Sequence, residues 1–242
     1  MKGWQKGGLI TLVVVLIASG YLLYVFKSRQ NPGVAVKQGP ESRTLTTDDL
    51  AVVKLLYLPS FSDAKGQLEG KPLWVKAGYS LPYYPYTGNT VQFAKKVGVL
   101  PSAEKLTVVK LIKAAAPAKE DDRVPHGTRQ YFAVFTLNDG AEQFAAPIGF
   151  AQGDDEKLFC DQLFYYDDPK TIYDHWPPAV WDAVAKHTPA IGMTENQVRM
   201  AVGIMLQSDS TREGDRTVTY DAAGRKWTVI FVKGVVTQVS GG

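Results

Sequence analysis

The sequence predicts an α+β protein: an N-terminal transmembrane helix, a β-rich middle domain, and a C-terminal domain of two helices with a three-stranded antiparallel sheet. Three observations carry this. Residues 9–26 contain no charge. Residues 68–150 hold short apolar runs broken by turn residues, with Asn138-Asp139-Gly140 as a hairpin signal. Thr194-Glu195-Asn196-Gln197 reads as a capping box that opens a short helix, and three strand-like runs come after it.

Leu9 and Phe26 bound the run LITLVVVLIASGYLLYVF. With Gly7 and Gly8 it is long enough, as a helix of about 30 Å, to cross a hydrocarbon core. Lys6 and Lys27 close its ends, and Trp4, Tyr21 and Tyr24 sit where amphipathic rings favour the interface. Ala18-Ser19-Gly20 has the small residues of a cleavage site, but the run exceeds the apolar stretch of a signal peptide. Residues 1–27 are therefore expected to be an uncleaved anchor. The short tail bearing Lys2 and Lys6 is how bacterial signal anchors begin, which predicts one pass through the inner (cytoplasmic) membrane with the body outside the cytoplasm. Lys27, Arg29, Lys37 and Arg43 on the other flank leave a cytoplasm-facing regulatory protein as an alternative.

Residues 28–45, rich in Gly, Pro, Gln, Ser and Lys, read as a linker. The β-rich domain spans 46–153 and begins with a helix: Thr46 or Thr47 as N-cap, Asp48 and Asp49 in the first turn, then Leu50, Val53, Leu56 and Tyr57 at helical spacing up to Pro59. Strands are expected over 72–77 and 105–112, with a hairpin pairing 130–137 to 142–148 and a long loop over 114–128. Residues 154–187 form an aromatic and acidic connection, with helix starts at Asp168-Pro169 and Pro178. In 188–242 the capping-box helix ends at Gly203, and strands are expected over 217–220, 226–232 and 235–239. In the middle strand Trp227, Val229 and Phe231 alternate with Thr228, Ile230 and Val232.

Two resemblances accompany this pattern. Trp74-Val75-Lys76, Val97-Gly98-Val99-Leu100, the run from Leu106 to Val109, and Ala146-Pro147-Ile148-Gly149 together resemble a bacterial SH3-like barrel. That implies a binding module for cell-wall or peptide ligands. Gly192-Met193-Thr194, Gln197-Val198, Gly203, Tyr220, Gly224 and the stretch from Phe231 to Val236 resemble the BamE/SmpA-like domain of bacterial outer-membrane assembly lipoproteins. That match covers residues 187–240, lacks the lipid-bearing cysteine, and implies an interaction module.

The totals exclude several functions. A net charge of +3, with basic residues scattered among 24 acidic ones, lacks the stripe that phosphate tracking needs, so no nucleic-acid partner is expected. One cysteine, Cys160, permits neither an internal disulfide nor a cysteine-based zinc cage. No phosphate loop, dinucleotide fingerprint, H-E-x-x-H or G-x-S-x-G occurs, and no cofactor is expected. Asp167, Asp168, Asp174 and His175 form the densest group of possible metal ligands or acid–base residues, which makes a membrane-tethered hydrolase the alternative function. The plainer reading has Asp168 capping a helix. Cys160 with His175 or His187 would make a thiolate pair, but its apolar neighbours suggest a buried thiol. His126 is expected in the loop, and His187 at a helix end. Aromatics offer a recognition surface, Tyr83, Tyr84 and Tyr86 in a proline-rich loop and Tyr165, Tyr166 and Trp176 in the connection. The alternative is that the loop rings cover the barrel and that Tyr165, Tyr173 and Trp176 are packing. The function expected is a membrane-anchored, non-catalytic bacterial envelope protein that binds a protein or cell-wall partner.

Overall fold

Beyond residue 70 the apolar residues fall mainly at period two, and the architecture is the one this spacing dictates: mostly β-sheet, in two antiparallel sheets, with short helices between them. The computed structural model describes residues 19–23, 27, 46–115, 129–138, 140–211, 213–222 and 224–242. This mostly-β architecture overturns the α+β class. Among the described residues no helix is long and apolar enough to cross a membrane. The run bounded by Leu9 and Phe26, expected from sequence to be a transmembrane helix, lies outside the described residues except for 19–23, which are helical. Met1–Thr46 and Thr47–Gly242 are separate compact units, and both sheets belong to the second.

The first sheet has nine strands. Its centre is a meander of three long strands, β5 (Lys105–Ala115), β6 (Arg129–Leu137) and β7 (Gln143–Gln152). On one side β7 pairs with β2 (Pro82–Thr87), which pairs in turn with β3 (Thr90–Val91) and β4 (Gly98–Val99). On the other side β5 pairs with β1 (Pro72–Val75), and β1 with β9 (Phe164–Tyr165); β8 (Asp155–Leu158) pairs with β7. The middle of the chain is thus built on one broad sheet, whose central strands of 11, 9 and 10 residues sustain a long ladder. β6 is buried on both faces. Tyr131, Ala133 and Phe135 pack with Leu106, Ile148 and the helix α1 (Phe61–Leu68), while Phe132 and Val134 pack with Tyr84, Tyr86 and Val91. Where β8 crosses β7, a Cβ at Gly149 would collide with the Lys157 carbonyl, so glycine is required there.

The helix expected over 46–59 is absent. Only Thr47–Leu50 closes a 3-10 turn, and 51–59 run as an extended strap. Its inward residues, Ala51, Val53, Leu56 and Leu58, fall in pairs two apart, which an extended chain can bury and a helix cannot. Side chains from elsewhere also hold it. Asp48 accepts from His175 Nε2 and Trp176 Nε1, both at 2.6 Å, and Asp161 accepts from the Leu56 amide at 3.0 Å.

Three short helices surround β9: α2 (Cys160–Leu163) just before it, then α3 (Pro169–Ile172) and α4 (Pro178–Ala185) after it. Helix α5 (Glu195–Val202) opens with the full capping box: Thr194 Oγ1 accepts from the Gln197 amide at 3.3 Å, and Gln197 Oε1 from the Thr194 amide at 2.9 Å. The second sheet has four strands, not three: β10 (Ile204–Ser208), β11 (Arg216–Ala222), β12 (Arg225–Val232) and β13 (Val235–Gly241), in that order. Gly203, at φ +83°, turns the chain directly from α5 into β10. A buried ion pair ties α5 to the sheet. Glu195 accepts from Arg216 Nε at 3.1 Å and from its terminal guanidinium nitrogen.

Strands β1 and β9 stitch the sheets together. Leu73, Val75 and Phe164 enter the core of the first sheet, whereas Trp74 and Tyr165 pack into the core built on the second. Period-two alternation therefore gives one short strand pair two separate cores to fill.

Candidate binding cleft

The polar groups that satisfy backbone ends between the two sheets also line two hollows there. Ser102 Oγ donates to the Met200 carbonyl at 2.7 Å, covering an orphan acceptor at the end of α5. On one side of Ser102 lies a cleft of about 370 Å³, walled by Trp74 and Trp181 and edged by Glu104, Lys105, Asp168 and Lys170. On the other side lies a cavity of about 90 Å³ reached by Lys76, Asp221 and Arg225. Ser102 and His187 line both. The cleft falls in the range of small-molecule and peptide side-chain sites, and aromatic walls with charged edges are the usual makeup of such sites. Ring faces supply area at low entropic cost, and the charges set orientation.

His187 takes its place from the end of α4. Its amide donates to the Val184 carbonyl at 3.0 Å and the Thr188 amide to the Ala183 carbonyl at 3.1 Å, the pair of bonds that defines a Schellman turn. The position requires a left-handed backbone, and His187 has φ +51°. Glycine takes this conformation freely, and other residues hold it at a cost of about 1 kcal/mol. The imidazole Nδ1 is buried with no hydrogen-bond partner among the described residues.

Lys76 reaches the cavity from the loop after β1. Its ammonium donates to the Asp161 carbonyl at 2.6 Å and lies 5.1 Å over the Tyr165 ring. Burial holds its pKa below the ordinary lysine value, with Asp161 opposing the shift. Arg225 reaches it from β12, donating to the His187 carbonyl at 3.4 Å.

The aromatic residues singled out from sequence lie mostly in packing. Tyr83, Tyr84 and Tyr86 are on strand β2, not in a loop. Tyr84 and Tyr86 are 5% and 6% exposed, and Tyr83 is half-buried, edge-on to Phe144 at 5.4 Å. Tyr165 is buried, and desolvation first, then Tyr173, raises its phenol pKa. Tyr166 donates to Asp161 Oδ1 at 2.7 Å; burial and this bond raise its pKa as well. Trp176 is 4% exposed and stacked on Tyr173 at 4.4 Å.

The acidic group fans apart. Asp168 accepts from the Lys170 amide at 2.9 Å as the cap of α3, Asp167 and Asp174 are exposed, and His175 is held by Asp48. Among the described residues no group of three or more His, Cys, Asp or Glu is arranged to hold a metal ion. Cys160 is buried, and desolvation first, then Asp161, pushes its thiol up to about 12, which leaves it protonated and inert at neutral pH. His126 lies outside the described residues.

Of the residues weighed from sequence as ligands, acid–base groups or recognition aromatics, Asp168 and His187 line the cleft. Trp74, Trp181, Glu104, Lys105 and Lys170 come from four separate stretches of chain, and no local spacing unites them. The signal that was available is a pair of tryptophans beside charged neighbours, Trp74 before Lys76 and Trp181 before Asp182.

Compared with known proteins, the chain matches no family model, and no curated protein or solved structure is significantly similar to it. The two resemblances therefore rest on the residues that suggested them.

Proposed function

We propose that this protein is a non-catalytic binding module of the bacterial cell envelope, attached to the inner membrane through the apolar run bounded by Leu9 and Phe26, with its body outside the cytoplasm. Its partner is a protein or a cell-wall component, taken up in the cleft between the sheets. The observation that carries the reading is that cleft: two tryptophan walls, Trp74 and Trp181, with two acids and two lysines at the edge. The resemblance of the C-terminal residues to an interaction domain supports the same class, although fold alone does not give function. The hydrolase reading lacks such support, since Asp168 is occupied as a helix cap and His175 by Asp48.

The test uses the full chain in detergent, mixed with washed envelope fragments that retain the cell wall and its bound proteins. The chain should sediment with the fragments, and Trp181→Ala should weaken sedimentation by about tenfold or more, the usual loss for an aromatic anchor. No sedimentation, or equal sedimentation of the variant, contradicts the proposal. Location is tested separately with Ser240→Cys, which sits on an exposed stretch of β13. An impermeant maleimide should label it in intact spheroplasts, while Cys160, being buried, stays silent. Labelling only after lysis would place the body in the cytoplasm.

A further inference from the structure

The 90 Å³ cavity holds more donors than the protein uses. Lys76 carries three N–H groups and gives one to the Asp161 carbonyl. Arg225 carries five and gives one, at 3.4 Å, to the His187 carbonyl. Neither cation forms an ion pair among the described residues. Asp161, whose charge reaches Lys76, already accepts from the Leu56 amide and the Tyr166 hydroxyl, and Asp221 on the cavity wall accepts from the Gly224 amide at 2.6 Å. The buried Nδ1 of His187 adds a further polar atom without a partner among the described residues. Two cations without an ion-pair partner among the described residues, beside a small and mostly apolar hollow, are complementary to one small anion with an apolar body.

We infer that this cavity captures the terminal carboxylate of a peptide chain, pairing it with Arg225 and Lys76, with His187 and the apolar wall packing against a methyl-sized last side chain. The inference rests on the binding reading of the adjoining cleft, along which the rest of the peptide would run past the shared wall of Ser102 and His187. A carboxylate suits the site better than a phosphate because of the acid in the wall. The guanidinium fork of Arg225 can pair with its two oxygens, and Asp221 in the wall repels a carboxylate less than a doubly charged phosphate.

A free carboxylate of this kind ends both protein chains and cell-wall stem peptides, and stereochemistry separates the two. Isothermal titration of the full chain in detergent uses N-acetyl-L-Ala-L-Ala, N-acetyl-D-Ala-D-Ala and the C-terminal amide of each. At least one acid should bind, and its amide should bind about tenfold more weakly or worse, because the charge-assisted bonds are lost. Arg225→Gln should lose a similar factor. His187→Gly should lose binding while its thermal midpoint stays level or rises, which separates a recognition role from a structural one. Preference for the D acid identifies a cell-wall stem and preference for the L acid a protein terminus; either supports the inference. Binding of neither acid, equal binding of acid and amide, or wild-type affinity in both variants overturns it. If the peptides fail while Trp181→Ala still reduces sedimentation, only the carboxylate pocket falls. If Trp181→Ala has no effect either, the cleft falls with it.

Discussion

The core of the nine-stranded sheet and the core of the four-stranded sheet are comparable in apolar content but differ in their polar groups. The first is built from Leu, Val, Ala and aromatic rings around β6, with its rim carboxylates in hydrogen bonds: Glu156, for example, accepts from the Phe61 amide and the Tyr131 hydroxyl, both at 2.6 Å, and from Lys113 at 3.1 Å. The second encloses the Glu195–Arg216 ion pair. It also holds two buried side-chain atoms that lack partners among the described residues, Tyr220 Oη and Trp227 Nε1, on facing positions of β11 and β12. A third such atom, His187 Nδ1, lies beside the hollows next to this core. Groups of this kind are costly to bury and uncommon in native folds. The two cores thus differ in kind: the first has its rim polar groups satisfied, and the second region carries unsatisfied polar atoms next to the cleft it helps to form.

This division is probed most severely by cavities in the first core. Phe135→Ala should destabilise the protein by about 3–5 kcal/mol, measured as a shift in urea midpoint, because the fully buried ring leaves a void that close neighbours cannot fill. In the second core, Glu195→Ala should cost about 3 kcal/mol by leaving Arg216 charged, buried and unpaired. Replacing both partners, Glu195→Met with Arg216→Leu, should recover most of that loss.

Glu156 gives a smaller effect with a pH signature. The Tyr131 hydroxyl above all, then the Phe61 amide and Lys113, hold its carboxyl below the ordinary glutamate value. Its folded pKa is depressed, so the stability it contributes is complete above the unfolded value of about 4.3 and is lost as pH falls through the folded one. Glu156→Gln should cost about 1–2 kcal/mol at pH 7 and flatten the loss of stability below about pH 4. An unchanged acid limb would remove Glu156 from this role. Smallest in stability should be Trp181→Ala, at about 1 kcal/mol or less for a half-buried ring, although its effect on binding is large. A large loss of stability there would recast Trp181 as core rather than cleft.

Short-range chemistry was legible in the sequence where it was local. The Thr194–Gln197 box, the Asp168 cap with Pro169, the Asn138 turn between β6 and β7, and the strands β11 to β13 are all written in adjacent residues. What was not legible depended on distant partners. Leu50, Val53, Leu56 and Tyr57 fit a helix by spacing, but the extended strap is decided by Asp161 and by His175 and Trp176, more than 100 residues away. The proline-aromatic segment from Leu81 to Tyr86 has the composition of a loop, yet β7 and β4 pair with it as strand β2, which turns two of its three tyrosines inward. The cleft was hidden for the same reason: Trp74, Glu104, Asp168 and Trp181 meet only because β1 and β9 carry side chains into both cores.

The most direct measurement is site-specific photo-crosslinking in living cells, with a photoreactive amino acid placed at Lys170 on the edge of the cleft or at Gln238 on β13. The Lys170 position should capture an envelope protein or cell-wall fragment that the Gln238 position does not, and Trp181→Ala should remove that adduct while the chain remains folded. Equal capture at both positions, or an adduct at Lys170 that survives Trp181→Ala, would show that recognition does not occur in the cleft between the sheets.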